Sequence, residues 1–155
     1  MRKMIKISNV SSFLNEDENA DGKDENPVNK YNIPKDLEVF ELSGPMFFGA
    51  AYKFKDAIKV IEKKPKVLIV RMRHVPIIDA TGMHTLKDVF HMCMHDKIQL
   101  IISGIQPAVL DELKTYRLLF QIGKLYVTDD LGTALKRADE VLLSVEKARE
   151  IKDLK

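Results

Sequence analysis

The 155 residues suffice for one domain with some chain to spare. With 45% hydrophobic and 31% charged residues, they exclude a collagen-like or wholly disordered chain. Lys and Arg number 25 and Asp and Glu 23, a net charge of +2 that gives no global pull toward nucleic acid, and the lack of Trp with only 7% aromatics argues against a stacking platform.

A single cysteine, Cys93, excludes an internal disulfide and an all-cysteine zinc site. Apolar runs such as residues 67–70 and 100–102 are far shorter than the roughly 20 residues a membrane helix needs. Arg2, Lys3 and Lys6 precede no apolar stretch, so this segment is not expected to act as a secretory signal. By itself the chain is expected to be soluble and intracellular.

Residues 4–10 alternate in polarity and read either as a weak strand or as the remnant of something longer. Residues 15–29 carry Glu16, Asp17, Glu18, Asp21, Asp24 and Glu25 against Lys23, with Val28 almost the only sizeable apolar group. Such a stretch buries too little surface to offset the entropy of ordering. Residues 1–30 are therefore expected to be a flexible acidic leader.

From Tyr31 onward strand and helix signals alternate. Residues 37–42 read as a strand closed by Ser43, Gly44 and Pro45. Residues 51–62 place Ala51, Phe54, Ala57, Ile58 and Ile61 at helical spacing, with Lys63, Lys64 and Pro65 as the stop. Residues 67–70 form a continuous apolar run, expected of a strand covered on both faces. A helix over residues 81–95 follows, with Met83, Leu86, Val89, Phe90 and Cys93 as its core stripe.

Residues 98–102 predict another interior strand, ended by Ser103 and Gly104. Pro107 opens one helix, with Ala108, Leu110, Leu113 and Leu118 as apolar positions and Gly123 past its end. Residues 125–127 are a short last strand. Asp129 or Asp130 can cap a final helix bearing Leu131, Ala134, Leu135, Ala138, Val141, Leu142 and Val145, and a charged tail, residues 146–155, is expected to fray. These units predict an α/β domain over residues 31–145: a mostly parallel, mixed sheet of four or five strands flanked by about four helices.

Sites in such sheets form in the loops at the carboxyl ends of the strands. The loop after residues 67–70 ends in Asp79, Ala80, Thr81 and Gly82. Asp79 and Thr81 can each accept from the free N–H groups of the following helix, whose positive end tolerates a phosphate.

Asp79-Ala80-Thr81-Gly82, between an apolar strand and an amphipathic helix, resembles the Asp-Ser-Ser/Thr-Gly signature of STAS domains, shared by sulfate transporters and anti-sigma-factor antagonists. The stretch from Ser43 to Ala51, with Phe54 in the following helix, is similar to the first strand–helix junction of STAS domains at the C-termini of SulP anion transporters. The resemblance covers about residues 37–143. Ala80 replaces the usual middle serine, and Thr81 aligns with the phospho-acceptor serine of the free-standing antagonists.

That resemblance implies a non-catalytic regulatory and protein-interaction domain of a SulP-type transporter, on the cytoplasmic side of the inner (plasma) membrane. Its implied partners are the transmembrane domain of the same transporter, other cytoplasmic proteins and a second copy, with no nucleic acid and no cofactor. The acidic leader then resembles the linker to the last membrane helix. The alternative is a free-standing anti-sigma-factor antagonist switched by phosphorylation at Thr81.

Other constellations read more plainly. His84, His91 and His95 share a helix face with Lys87 and Asp88, which reads as a solvated surface rather than a metal site. Cys93 is expected to be buried and inert. Gly44 and Gly49 lack the Lys-Ser/Thr of a phosphate loop. Phe47 and Phe48 read as core, with an exposed docking patch as the alternative. No nucleophile–base pair marks an enzyme.

Overall fold

An apolar strand run covered on both faces demands helices on both sides of the sheet. A computed structural model describes residues 6–7, 10–12, 36–61 and 63–154, with the backbone alone for residues 6–7, 10–12, 48 and 50. The expected flexible stretch, residues 15–29, lies outside them.

The elements follow as β1 (Lys6–Ile7), β2 (Val10–Ser12), β3 (Leu37–Ser43), α1 (Phe48–Lys59), β4 (Val67–His74), α2 (Ala80–His95), β5 (Gln99–Ser103), α3 (Pro107–Thr115), α4 (Leu118–Ile122), a 3-10 turn (Lys124–Tyr126), β6 (Val127–Thr128) and α5 (Leu131–Asp153). The sheet order is β1-β2-β3-β4-β5-β6. The strands β3 to β6 pair in parallel, while β1 and β2 add an antiparallel edge. β4 and β5 are interior strands, as the sequence predicts.

This sequential order has a consequence for the layers. Right-handed crossovers between strands that always step the same way put every connecting helix on one face. Accordingly α1 to α4 share one core with Phe40, Leu42, Leu68, Val70, Met72, Leu100 and Ile102. The alternate side chains Leu37, Val39, Val67, Ile69 and Ile101 point to the other face. Among the described residues α5 supplies most of the cover, through Leu131, Ala134, Leu135 and Ala138, with Tyr126 of the 3-10 turn packed beside it. Its small alanines let the helix lie close to the sheet. Asp130 caps α5, its Oδ1 accepting from the Thr133 N–H at 2.7 Å.

The α5 face ends in a polar row at the carboxyl ends of the strands. Glu41 is in register with Arg71, Arg71 with Ser103, and Ser103 with Thr128. All four are buried. The Glu41 carboxylate lies 3.7 Å from Arg71 Nη1, Arg73 Nε and His74 Nε2, and Thr128 Oγ1 donates to the Ile102 carbonyl at 3.0 Å.

Several boundaries depart from the sequence expectation. The helix expected from Pro107 to Gly123 is two, broken at Tyr116 and Arg117, where Arg117 takes a left-handed conformation (φ 61°). At roughly 100° per residue, a continuous helix would turn Leu118 about 180° away from Val109. The break brings Leu118, Leu119 and Ile122 into the same core as Val109 and Leu113. Ala108 is exposed and Leu110 half-buried, so the inward face of α3 is Val109 and Leu113 instead.

The strand expected at residues 125–127 is displaced to Val127–Thr128, because Leu125 sits in the 3-10 turn and is exposed. α1 begins at Phe48 and ends at Lys59, three residues early at both ends. α5 continues to Asp153, and its described side chains beyond Val145 are all exposed.

The α2 C-terminus generates a prediction. Ile98 N donates to the Cys93 carbonyl at 2.7 Å and Lys97 N to the Met94 carbonyl at 3.2 Å, a Schellman closure with Lys97 in the left-handed position (φ 60°). Glycine would remove the Cβ penalty there at the cost of extra unfolded-state entropy. Lys97→Gly should raise stability by about 0.5–1 kcal/mol, read as a higher urea midpoint at unchanged slope. An unchanged or lower midpoint would contradict the strained turn.

Candidate functional site

The site is built where two strand-to-helix loops run side by side. Past the end of β3, Gly44 (φ 85°) turns the chain, and its N–H donates to the His74 carbonyl at 2.8 Å. Met46 N donates to the Ile77 carbonyl at 3.0 Å, and Asp79 N lies 3.5 Å from the Met46 carbonyl oxygen. Met46 and Ile78 thus form a parallel bridge beyond the strands proper. Both side chains are buried and seal that end of the core.

Gly82 locks this arrangement. A Cβ there would lie 2.1 Å from the Met46 carbonyl oxygen and 2.9 Å from Ile78 Cγ1. Nothing but hydrogen fits between the first turn of α2 and the Met46 backbone. The two stretches singled out in the sequence, residues 43–51 and 79–82, are therefore two sides of one contact.

Asp79 caps α2. Its Oδ1 accepts from the Gly82 N–H at 2.7 Å, while its carbonyl accepts from Met83 N at 2.9 Å. Thr81, offered with Asp79 as a cap, is instead the second residue of the helix, and its side chain is exposed. Ala80 beside it is exposed too. Thr81, His84, Thr85 and Lys87 line an open hollow of about 400 Å³ with Tyr116 across it.

Phe47 stands at the N-cap position of α1 without a side-chain capping bond and is 45% exposed, which overturns its reading as core. The Phe48 side chain lies outside the described residues. Ile77, 50% exposed, comes from the paired loop, and Pro45 and Pro76 are exposed with it. The junction thus presents an apolar rim on the outside and a packed bridge within.

Of the remaining candidates, only His84 reaches this site, on the lining of the hollow beside Thr81. His84, His91 and His95 are all exposed on α2. Among the described residues no three His, Cys, Asp or Glu side chains group closely enough to hold a metal. Cys93 faces the core, and burial, with a smaller push from Asp96, raises its thiol to about 12. It carries no thiolate at neutral pH.

Sequence reading missed the Glu41, Arg71, Arg73 and His74 cluster because it ended the strand at Val70. The signal was present: Arg71 and Arg73 continue the alternation that puts Val67 and Ile69 on the α5 face.

The cap and the close approach predict a ranking of stabilities. Gly82→Ala should cost about 3 kcal/mol or more, since backbone rather than a flexible side chain must move. Asp79→Ala should cost about 1 kcal/mol, and Thr81→Ala less than about 0.5 kcal/mol. Urea unfolding of the three variants measures the order. A larger loss at Thr81 than at Asp79 would put the cap at the wrong residue.

With this geometry in place, comparison with known proteins is direct. The family model for the STAS domain matches residues 30–132. The crystal structure of a sulfate transporter family protein from Wolinella succinogenes is similar at 36% identity and TM-score 0.71, over 74% of this chain and 94% of that one. The STAS domain of a SulP transporter from Vibrio cholerae is similar at 31% identity and TM-score 0.63, over 75% of this chain and 88% of that one. A putative sulfate transporter of Bacillus subtilis, YvdB, is 27% identical over 94 residues, which is 60% of this chain and 18% of that protein. This chain therefore matches less than a fifth of that relative's length. No described helix is long and apolar enough to cross a membrane. The chain belongs to the STAS-domain family, and its fold is that of the STAS domains of SulP sulfate transporters.

Proposed function

We propose that this chain is the cytoplasmic regulatory and interaction domain of a SulP-type sulfate or other anion transporter. The observation that carries this reading is the likeness, above 30% identity and across most of both chains, to STAS domains of that transporter class. The site's chemistry agrees with it. Its exposed groups are Phe47, Ile77 and Thr81 around a rigid junction, and the chain's one thiol is held protonated in the core. Such a surface binds and signals rather than making or breaking bonds.

In this reading the transmembrane part of the same transporter is the main partner. Phe47 and Ile77 form the contact, and the anion passes through the membrane part. Other cytoplasmic proteins and a second copy of the chain are further partners of the same surface class. The domain acts without catalysis and sits on the cytoplasmic side of the inner membrane.

Thr81 is the regulatory position. Its hydroxyl side chain is exposed on the first turn of α2, so a kinase can reach it without unfolding the domain. A phosphate there adds about −1.5 to −2 charges at neutral pH. The same exposure would serve a free-standing antagonist, which is the second reading. The two differ in whether transmembrane helices share the reading frame.

The test is made in the full-length gene product, by sulfate uptake into proteoliposomes. Phe47→Asp should lower uptake several-fold while the melting temperature of the isolated chain stays unchanged, because the side chain is already half in solvent. Thr81→Glu should change uptake and Thr81→Ala should not. Normal uptake by both Phe47→Asp and Thr81→Glu would sink the regulatory reading. A gene without membrane helices would favour the antagonist.

A further inference from the structure

The segment from α3 to the 3-10 turn carries an exposed surface that touches the junction only through Tyr116, at the hollow beside Thr81. Residues 114–126 read Lys-Thr-Tyr-Arg-Leu-Leu-Phe-Gln-Ile-Gly-Lys-Leu-Tyr, with three cations and no carboxylate. The chain as a whole is nearly balanced, at 25 cations and 23 anions, so this run stands out in charge. Lys114, Arg117 and Lys124 are all exposed.

Between these cations the same run pushes large apolar groups into solvent. Phe120 is 68% exposed, Leu125 63% and Tyr116 38%. Their exposure follows from the packing. Leu118, Leu119 and Ile122 take the inward positions of α4, which leaves Phe120 outside. The 3-10 turn has no buried residue, so Leu125 projects as well. The left-handed Arg117 starts this segment, and Gly123 (φ 101°) redirects it between Phe120 and Leu125. Neither Phe120 nor Leu125 is needed by the core.

We propose that this surface docks onto an anionic phospholipid bilayer, with Phe120 and Leu125 entering the headgroup boundary and Lys114, Arg117 and Lys124 pairing with lipid phosphates. Charge complementarity and chemistry select this occupant. Three cations without a carboxylate match a negative surface. An aliphatic and an aromatic side chain beside them match the apolar layer just beneath the headgroups. A nucleic acid would use the cations and a stacked ring, and would leave Leu125 without a role. The nearest carboxylates in sequence are Asp111 and Glu112, exposed on α3 within one turn of Lys114, and Asp129, so Arg117 and Lys124 are the cations more distant in sequence from any carboxylate.

This docking fits a domain held beside a membrane, and that setting rests on the function proposed above. The contact itself is a property of the chain and is measured without any transporter. Its failure is therefore distinct from failure of the transport assay.

The chain contains no Trp, so Phe120→Trp gives a single emission reporter at the proposed contact. Vesicles of phosphatidylglycerol and phosphatidylcholine in equal parts should shift its emission to the blue, and brominated lipid should quench it. Pure phosphatidylcholine should do neither. Each neutralised cation should weaken binding about fivefold, so Lys114→Gln, Arg117→Gln and Lys124→Gln together should weaken it on the order of 100-fold. Lys59→Gln, on α1, should leave binding unchanged.

Circular dichroism melts of each variant establish that it is folded. Leu125→Ser, in a side chain the core does not use, provides a second arm and should reduce binding with the cations intact. The proposal is overturned if anionic vesicles leave the emission unmoved, if phosphatidylcholine alone binds as well, or if the triple variant binds like its parent. It is equally overturned if a short single-stranded RNA shifts the emission and the vesicles do not.

Discussion

The approach of the Met46 carbonyl to Gly82 organises the rest of the molecule. A methyl group in that space would stand 2.1 Å from the oxygen, so the contact exists only because position 82 has no side chain. From it follow the parallel bridge of Met46 with Ile78 and the alignment of the two loops. The start of α2 is fixed as well, because Asp79 caps through the Gly82 N–H. With that start set, Met83, Leu86, Val89, Phe90 and Cys93 fall toward the sheet and the histidines fall outside. One absent methyl group thus determines where the helix begins, which face it buries and what the junction exposes.

A second constraint acts on the opposite side of the sheet. Strands that follow one another in order, joined by right-handed crossovers, receive all their connecting helices on one face. The other face of β3, β4 and β5 carries five apolar side chains that would otherwise meet water, and α5 supplies most of their cover. The buried polar row of Glu41, Arg71, Ser103 and Thr128 ends that face. Burying a lone carboxylate is costly. The Arg71 and Arg73 cations around Glu41 offset that cost, and the parallel register puts Glu41 opposite Arg71.

Much of this was legible in the sequence because it rests on period and composition. The apolar runs at residues 67–70 and 98–102 marked interior strands, and the stripe through Leu86 and Cys93 marked the buried face of α2. The signature loop was legible as residues but not as a contact. No local signal says that Gly82 faces the backbone of a loop 36 residues earlier. The break at Arg117 was hidden for a similar reason. A left-handed arginine carries no sequence mark, and only the need to bury both Leu118 and Val109 explains it. Phe47 looked like core because aromatics usually are. Its place outside follows from standing at the N-cap of α1, where the chain is still turning.

The rigidity of the junction bears on what a charge at Thr81 can do. A phosphate on a loose loop is free to move its own backbone and dissipate its effect in local disorder. Here the loop is bridged to its neighbour, capped by Asp79 and wedged against Met46. Asp79 already accepts the Gly82 N–H, so its charge remains two residues from Thr81 and repels a second anion. The positive end of α2 offsets part of that repulsion. The packed bridge cannot yield without opening the Met46 and Ile78 core, so added charge changes the potential of the surface more than the path of the chain. Thr81, in the first turn of α2, and Phe47, at the N-cap of α1, follow the two loops joined by this one bridge. On the function proposed above, a partner that grips Phe47 and Ile77 would meet the altered field with no conformational change in the domain to carry the signal.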